Sequence, residues 1–202
     1  MLNIRILPKS FYLNKDVVQI SNQLLGKILV TNIDQQETFS RIVETEAYHG
    51  GMDKACHAFP NRRTPRTEVM FREGGRSYIY LCYGLHHLFN IVTNAEDEPN
   101  AVLIRAVEPL SGMEAMAERR KVKGPINWTN GPGKLSMALG ITRGLNDVCL
   151  YKPDSPIWIG EAITDKPEDI VQTTRVGVDY AEEDAFLPWR FYIRENPFVS
   201  RL

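Results

Sequence analysis

The spacing of apolar positions changes several times along the chain, and each change marks a predicted element. Val17, Val18, Ile20, Leu24 and Leu25 recur at helical intervals, behind Asn14 as N-cap and ahead of Gly26 as a stop. Lys27–Thr31, with the apolar run Ile28-Leu29-Val30 at its centre, reads as a buried strand. The turn-like stretch Asn32–Gln36 separates it from a second extended run, Phe39–Tyr48. Ser77–Cys82 and Leu88–Thr93 read as strands joined across Tyr83-Gly84-Leu85-His86-His87, and Ala101–Val107 as a further strand. A polar helix is expected from Ser111 or Gly112 to about Arg120, and a short one over Lys134–Leu139 behind Gly131-Pro132-Gly133. Ile157–Ile159, Thr174–Val178 and Arg190–Ile193 are short strand candidates. No period survives between residues 49 and 69, so a long ordered loop is expected there, and such loops are usually functional. Strands paired by hairpins, with helices between the runs, predict an α+β (mixed α/β) fold. The sheet should be mostly antiparallel, in one domain spanning 1–202.

Composition narrows the class. With 43% apolar and 24% charged residues the chain is globular rather than disordered. No apolar run approaches a membrane span, and MLNIRILPKS lacks the charge-then-apolar order of a signal peptide, so no membrane partner is expected. Cys56, Cys82 and Cys149 are scattered and odd in number. That argues for reduced thiols in a cytoplasmic compartment and against a disulfide scaffold or a zinc site. The net charge is −1, yet it is unevenly distributed. Arg119 to Arg143 holds six basic residues and no acid, whereas Glu161 to Asp184 holds eight acids against Lys166 and Arg175. Such segregation gives a nearly neutral protein one face able to attract a polyanion, unless the charges interleave in space.

The densest candidate chemistry lies in Arg41–Tyr48. A two-residue period puts Glu44, Glu46 and Tyr48 on one face of the strand. Two carboxylates there are either hydrated at an exposed edge or paired with a cation, and Arg105, the one charge in AVLIRAV, is the natural partner. Tyr78 and Tyr80 alternate on a strand that leads to Tyr83 at a turn tip. Strand aromatics are usually core, but exposed aromatics beside arginines suit stacking on bases or wedging between them. His49, His57, His86 and His87 could be metal ligands, but neither an i, i+4 histidine pair nor a Cys-x-x-Cys pair is present, so no metal or other cofactor is expected. Gly131-Pro132-Gly133-Lys134 is either a phosphate cradle or a structural turn.

Taken in order, RIVETEAYHG (41–50), ACHAF (55–59), RRTPRTEVMF (62–71), YIYLCYGLHHLFNIV (78–92), AVLIRAVEPLSG (101–112), GPGKLSMALGI (131–141), TRVGVDYA (174–181) and WRFYIRENPFVS (189–200) resemble the alkyladenine (3-methyladenine) DNA glycosylase family, the type without a helix-hairpin-helix. The resemblance implies a curved antiparallel sheet, flanking helices and a protruding hairpin that intercalates into DNA. It implies a monofunctional, metal-free enzyme acting as a monomer on duplex DNA that contains damaged purines, and leaving an abasic site. By the same resemblance Glu46 activates the water, and Arg105 with the backbone carbonyl of Val176 holds it. Tyr48 and Tyr80 stack the extruded base, His57 lines the pocket, and Asn90 excludes the guanine amino group. Tyr83 is the wedge with Leu85 beside it, while Arg62, Arg66, Lys134 and Arg143 touch phosphates. His86 and His87 depart from the larger or aromatic residues common in the family's hairpin. Two other readings are a catalytically silent binder of damaged DNA or structured RNA, and a metal-dependent hydrolase. A carboxylate beside the aromatic residues favours the enzyme, because a pure binder gains nothing from negative charge near phosphates.

Overall fold

The computed structural model describes residues 3–162 and 169–201. A short strand β1 (Ile4–Ile6) precedes two helices, α1 (Lys9–Tyr12) and α2 (Val17–Gln23). The cap of α2 is Asp16 rather than the expected Asn14: the Asp16 carboxylate accepts from Gln19 N at 2.9 Å, whereas the Asn14 side chain accepts from Asp16 N, forming the turn before the helix. Gly26, at φ +79°, ends the segment as expected. Strands β2 (Ile28–Ile33) and β3 (Gln36–His49) follow, joined by a two-residue turn in which Asp34 and Gln35 both take positive φ.

Next come β4 (Arg76–Cys82), β5 (His86–Thr93) and β6 (Asn100–Ser111). The helices α3 (Met113–Arg120), α4 (Ile126–Thr129) and α5 (Pro132–Ala138) lead to β7 (Ile157–Ala162), β8 (Ile170–Thr173) and β9 (Arg190–Ile193). The β4–β5 turn is tighter than expected. His86 and His87 belong to β5, opposite Cys82 and Leu81, and only Tyr83, Gly84 and Leu85 form the tip. Thr174–Val178 is not a strand: its groups bond to buried side chains instead of a ladder, as described below.

All pairings among the described residues are antiparallel, in the order β1-β7-β2-β3-β6-β5-β4, with β8 and β9 attached through β3. The first half of β3 pairs with β2 and the second half with β9, while β6 runs along its other edge. Three irregularities interrupt the β3–β6 ladder, one between Phe39 and Ser40 and a compensating pair around Glu44. Val43 on β3 and Arg105 on β6 each lack a register partner, and a bulge of this kind re-aims a side chain.

Alternation divides the sheet into two faces. Ile42, Ala47, Ile79, Phe89, Ile91, Val102 and Ile104 pack against Ile20 of α2 and Leu24 just after it, Met116 of α3 and Leu135 and Ala138 of α5 to form the main core. Tyr78, Val92 and Ala101, from the opposite face, pack under Cys56, Ala58, Val69, Met70 and Phe71 of the long loop, with Tyr48 and Tyr80 at the margin. The aperiodic stretch after β3 therefore covers the second face of the sheet. The charge segregation is partly neutralised in space: Arg63 pairs with Glu68 and Asp97, Arg72 and Arg76 with Asp147, and Arg119 tethers backbone carbonyls of Ile33 and Ala138. Asp165, Lys166 and Glu168 of the acidic stretch lie outside the described residues.

Candidate active site

A cavity of about 490 Å³ opens on the second face of the sheet. Glu46 and Tyr48 from β3, Tyr78 and Tyr80 from β4, Asn90 from β5, Leu103 and Arg105 from β6, His57 from the loop and Val176 all line it. One wall reaches Tyr83 and Pro132, so the cavity runs to the base of the hairpin. Nine of the residues expected in the site (Glu46, Tyr48, His57, Arg66, Tyr80, Tyr83, Asn90, Arg105 and Val176) thus converge on one concave space, although they come from six separate chain segments.

Both strand carboxylates are fully buried, which removes the reading of a hydrated sheet edge. Their surroundings differ. Glu44 accepts from Arg105 Nε at 3.0 Å, Arg190 Nη1 at 2.9 Å and Ser200 N at 2.7 Å, and it does not line the cavity. Glu46 accepts from Val176 N at 2.7 Å and, at Oε2, from the Tyr48 hydroxyl at 2.8 Å, with Arg105 Nη1 3.3 Å from Oε1. A carboxylate offers about four acceptor positions, so three occupied positions leave one for a water or substrate proton. Arg105 bridges the two acids from its bulged position. Against desolvation by burial, the charges of Glu46 and Glu44 hold its guanidinium above the ordinary value. The observed contact of Val176 with the glutamate is through its N–H, an addition to the carbonyl role expected for it.

The aromatic residues form a neutral wall. Burial, reinforced by the Glu46 charge, pushes the Tyr48 phenol well above its usual range and keeps it a donor. Tyr78 is pushed up to about 12 by burial, and the Cys56 thiol likewise to about 12. His57 stands edge-on to Tyr80, with ring centroids 4.5 Å apart. Its Nε2 lies 3.1 Å from Arg66 Nη2, which can only donate, so the ring proton sits on Nδ1, 3.0 Å from the Tyr78 hydroxyl. Burial and then the Arg66 charge push His57 down to about 4, leaving it neutral near pH 7. Asn90 donates from Nδ2 to the carbonyls of Tyr78 (3.1 Å) and Leu88 (3.2 Å), so its amide oxygen is the group left for the cavity it lines.

The residues expected on DNA separate into two groups. Tyr83 and Leu85 are 92% and 77% exposed at the hairpin tip, so neither belongs to the core. Tyr83 takes φ +50° and Gly84 φ +71°, a turn in which asparagine or glycine is the inexpensive choice. Tyr83 is thus a large exposed aromatic held in a costly backbone state, the kind of outlier from which a hypothesis of function starts. Arg62 and Arg143 are exposed with no side-chain partner among the described residues, and Lys134 donates to Asn130. Gly133 packs against His86, so the GPGK turn seats α5 beside the hairpin. Arg66 differs from the other basic residues: its guanidinium lies over the Tyr80 ring, 5.0 Å from the centroid, in the mouth of the cavity rather than on an outer face.

Sequence reasoning missed Asp53, Arg175 and Arg190. Arg190 completes the Glu44 network, and Arg175 forms a fully buried pair with Asp53. For Arg190, a lone charge between Trp189 and Phe191, the available signal was the one that singled out Arg105; Asp53, beside Lys54, and Arg175, beside Thr174, carried none.

Comparison with known proteins agrees with this geometry. The family model described as methylpurine-DNA glycosylase matches residues 10–197. A protein of Natranaerobius thermophilus is 47% identical over 191 residues, covering 94% of this chain and 96% of its own. One from Bacillus subtilis is 46% identical over 195 residues (96% of each chain), and one from Clostridium perfringens 41% identical over 203 residues (96% of this chain, 98% of its own). All three bear the provisional name 3-methyladenine DNA glycosylase. With a sheet face, cavity and hairpin built from the motifs that the family model spans, the chain belongs to the methylpurine-DNA glycosylase family.

Proposed function

We propose that the protein extrudes alkylated or deaminated purines from duplex DNA into the cavity and hydrolyses their N-glycosidic bond with a water activated by Glu46, leaving an abasic site. As a family member it is a DNA glycosylase, a hydrolase of N-glycosyl bonds that serves DNA repair. A damaged purine must leave the stack before its glycosidic bond is accessible, and Tyr83 fills the space it vacates. Tyr48 and Tyr80 offer π faces to the extruded ring, and N-alkylation, by making the purine cationic, strengthens that attraction. As the bond breaks, the sugar gains oxocarbenium character. One carboxylate then both stabilises that charge and takes the proton of the attacking water. Among the described residues no lysine lines the cavity, which favours simple hydrolysis over a Schiff-base lyase step. The free thiols support a cytoplasmic place of action, and the reading takes the protein as a monomer.

The observation that carries this reading is the asymmetry of the two acids: each has three donors, but Glu44 is held by two arginines and a backbone N–H outside the cavity, while Glu46 lines it, where its remaining acceptor position can meet a water. The test is incubation with a duplex carrying one 1,N6-ethenoadenine, with EDTA present, followed by hot alkali. Strand cleavage appearing only after alkali, and lost by about 10²-fold or more in Glu46→Gln, is the expected result. Lesion binding without base release would point to the silent binder, and rescue by added metal to a metal-dependent hydrolase.

A further inference from the structure

We propose that Arg175 is a positioning residue that sets the orientation of Glu46 and of the Tyr48 ring. The inference rests on the assignment of Glu46 as the catalytic carboxylate. Arg175 does not line the cavity, so it acts only through its neighbours.

Its guanidinium is fully buried and grips Asp53 with both Nη atoms, the Nη2–Oδ1 bond measuring 2.8 Å. The same two nitrogens donate to the carbonyl of Ala47 and to that of Asp184, each at 3.0 Å. The flat group is also held between two rings, with Cζ 4.9 Å from the Tyr48 centroid and 5.2 Å from that of Trp189. One side chain therefore joins the end of β3, the loop that follows it, the segment before β9 and the 174–178 stretch. Asp53 is itself fixed by the N–H of Ala55 at 2.9 Å.

Both neutral donors on Glu46 depend on this assembly. The residue after Arg175 is Val176, whose N–H reaches Glu46 Oε1, and the ring on which Arg175 stacks is Tyr48, whose hydroxyl reaches Oε2. A small rotation of the 174–178 backbone or of the Tyr48 ring would turn the carboxylate away from the water it must accept, and misplacements of ~1 Å are known to cost as much as 10²-fold in rate. The choice of residue types fits this role. A buried ion pair adds little or no stability over apolar packing, but a bidentate arginine fork defines direction in a way that a lysine point charge does not.

Four variants test it in single-turnover excision of ethenoadenine, alongside binding of a duplex with a stable abasic-site analogue: Arg175→Lys, the near-isosteric Asp53→Asn, and each of these combined with Glu46→Gln. We expect each single variant to excise about 10- to 100-fold more slowly per folded molecule while its affinity for the abasic duplex stays within about two-fold. The combined variants should be no slower than Glu46→Gln alone, because Arg175 and Asp53 act through that carboxylate. Normal excision per folded molecule, or losses that multiply with that of Glu46→Gln, would overturn the positioning role and leave a merely structural pair. Wild-type excision by Glu46→Gln itself would instead remove the catalytic assignment beneath it.

Discussion

Replacing Tyr83 by glycine should move stability and function in opposite directions. In the folded protein Tyr83 is 92% exposed, so its removal takes away almost no packing. Its φ of +50° is a left-handed conformation that costs a non-glycine residue about 1–2 kcal/mol. Glycine relieves that strain but loses more backbone entropy on folding, about 0.5–1 kcal/mol. The balance is a change between about zero and +1.5 kcal/mol, which for a chain of this size raises Tm by roughly 0–6 °C. The same substitution removes the wedge. An aromatic group of this kind contributes ~1–3 kcal/mol to holding a base out of the stack, so the extruded population should fall roughly 5- to 150-fold. Stopped-flow fluorescence with an ethenoadenine duplex reads the unstacking step, and melting by circular dichroism reads the stability. The defect should shrink when the lesion faces a mismatch or lies in single-stranded DNA, where little stacking has to be broken. A lowered Tm would refute the strain argument, and normal unstacking in a well-folded Tyr83→Gly would refute the wedge.

Glu44→Gln leaves Arg105 and Arg190 buried without their shared counter-charge, and should destabilise the fold by ~3–5 kcal/mol, lowering Tm by about 10 °C in thermal melts. His57 gives a pH dependence: its native value of about 4 lies below the ordinary 6.5, so between these the unfolded chain binds the extra proton. Stability is therefore complete above pH 6.5 and falls toward pH 4, by roughly 1–3 kcal/mol after allowance for partial exposure, and His57→Gln should flatten Tm over that window. Arg62→Ala and Arg143→Ala should each make the log–log salt dependence of DNA binding shallower by about one; unchanged slopes would take both residues off the DNA face. For all three, the wild-type protein measured in parallel is the reference.

The pairing of strands was legible wherever local chemistry dictates it. The apolar run at 28–30 and the alternation from Phe39 to Tyr48 located β2 and β3, and Tyr78, Ile79 and Tyr80 divided between the two faces as a two-residue period requires. Element ends were less legible because they depend on partners. His86 and His87 look like turn residues by their polarity, but pairing with Leu81 and Cys82 extends the ladder through them. Thr174–Val178 has the composition of a strand, yet a buried acid on a distant loop claims Arg175 and a glutamate claims the Val176 N–H. Asn14 and Asp16 are both good caps, and only the path of the preceding turn selects Asp16.

What the sequence by itself determined is the inventory and its phase: an antiparallel α+β framework, two acids and a tyrosine on one face of one strand, and an aromatic hairpin tip. Those features follow from the fixed two-residue and 3.6-residue periods of the backbone and need no knowledge of neighbours. Only the tertiary structure decided which acid faces the cavity. Glu44 and Glu46 are two residues apart with the same chemistry and the same burial, and share Arg105; the long-range difference between them is made by Arg190 and Ser200 on the first and Val176 on the second, all at least 130 positions away. Long-range closure also turned Asp53 and Arg175, ordinary surface residues by composition, into a buried clamp. A charge buried without a partner is prohibitively expensive, so its location is settled by whichever opposite charge the whole fold brings to it.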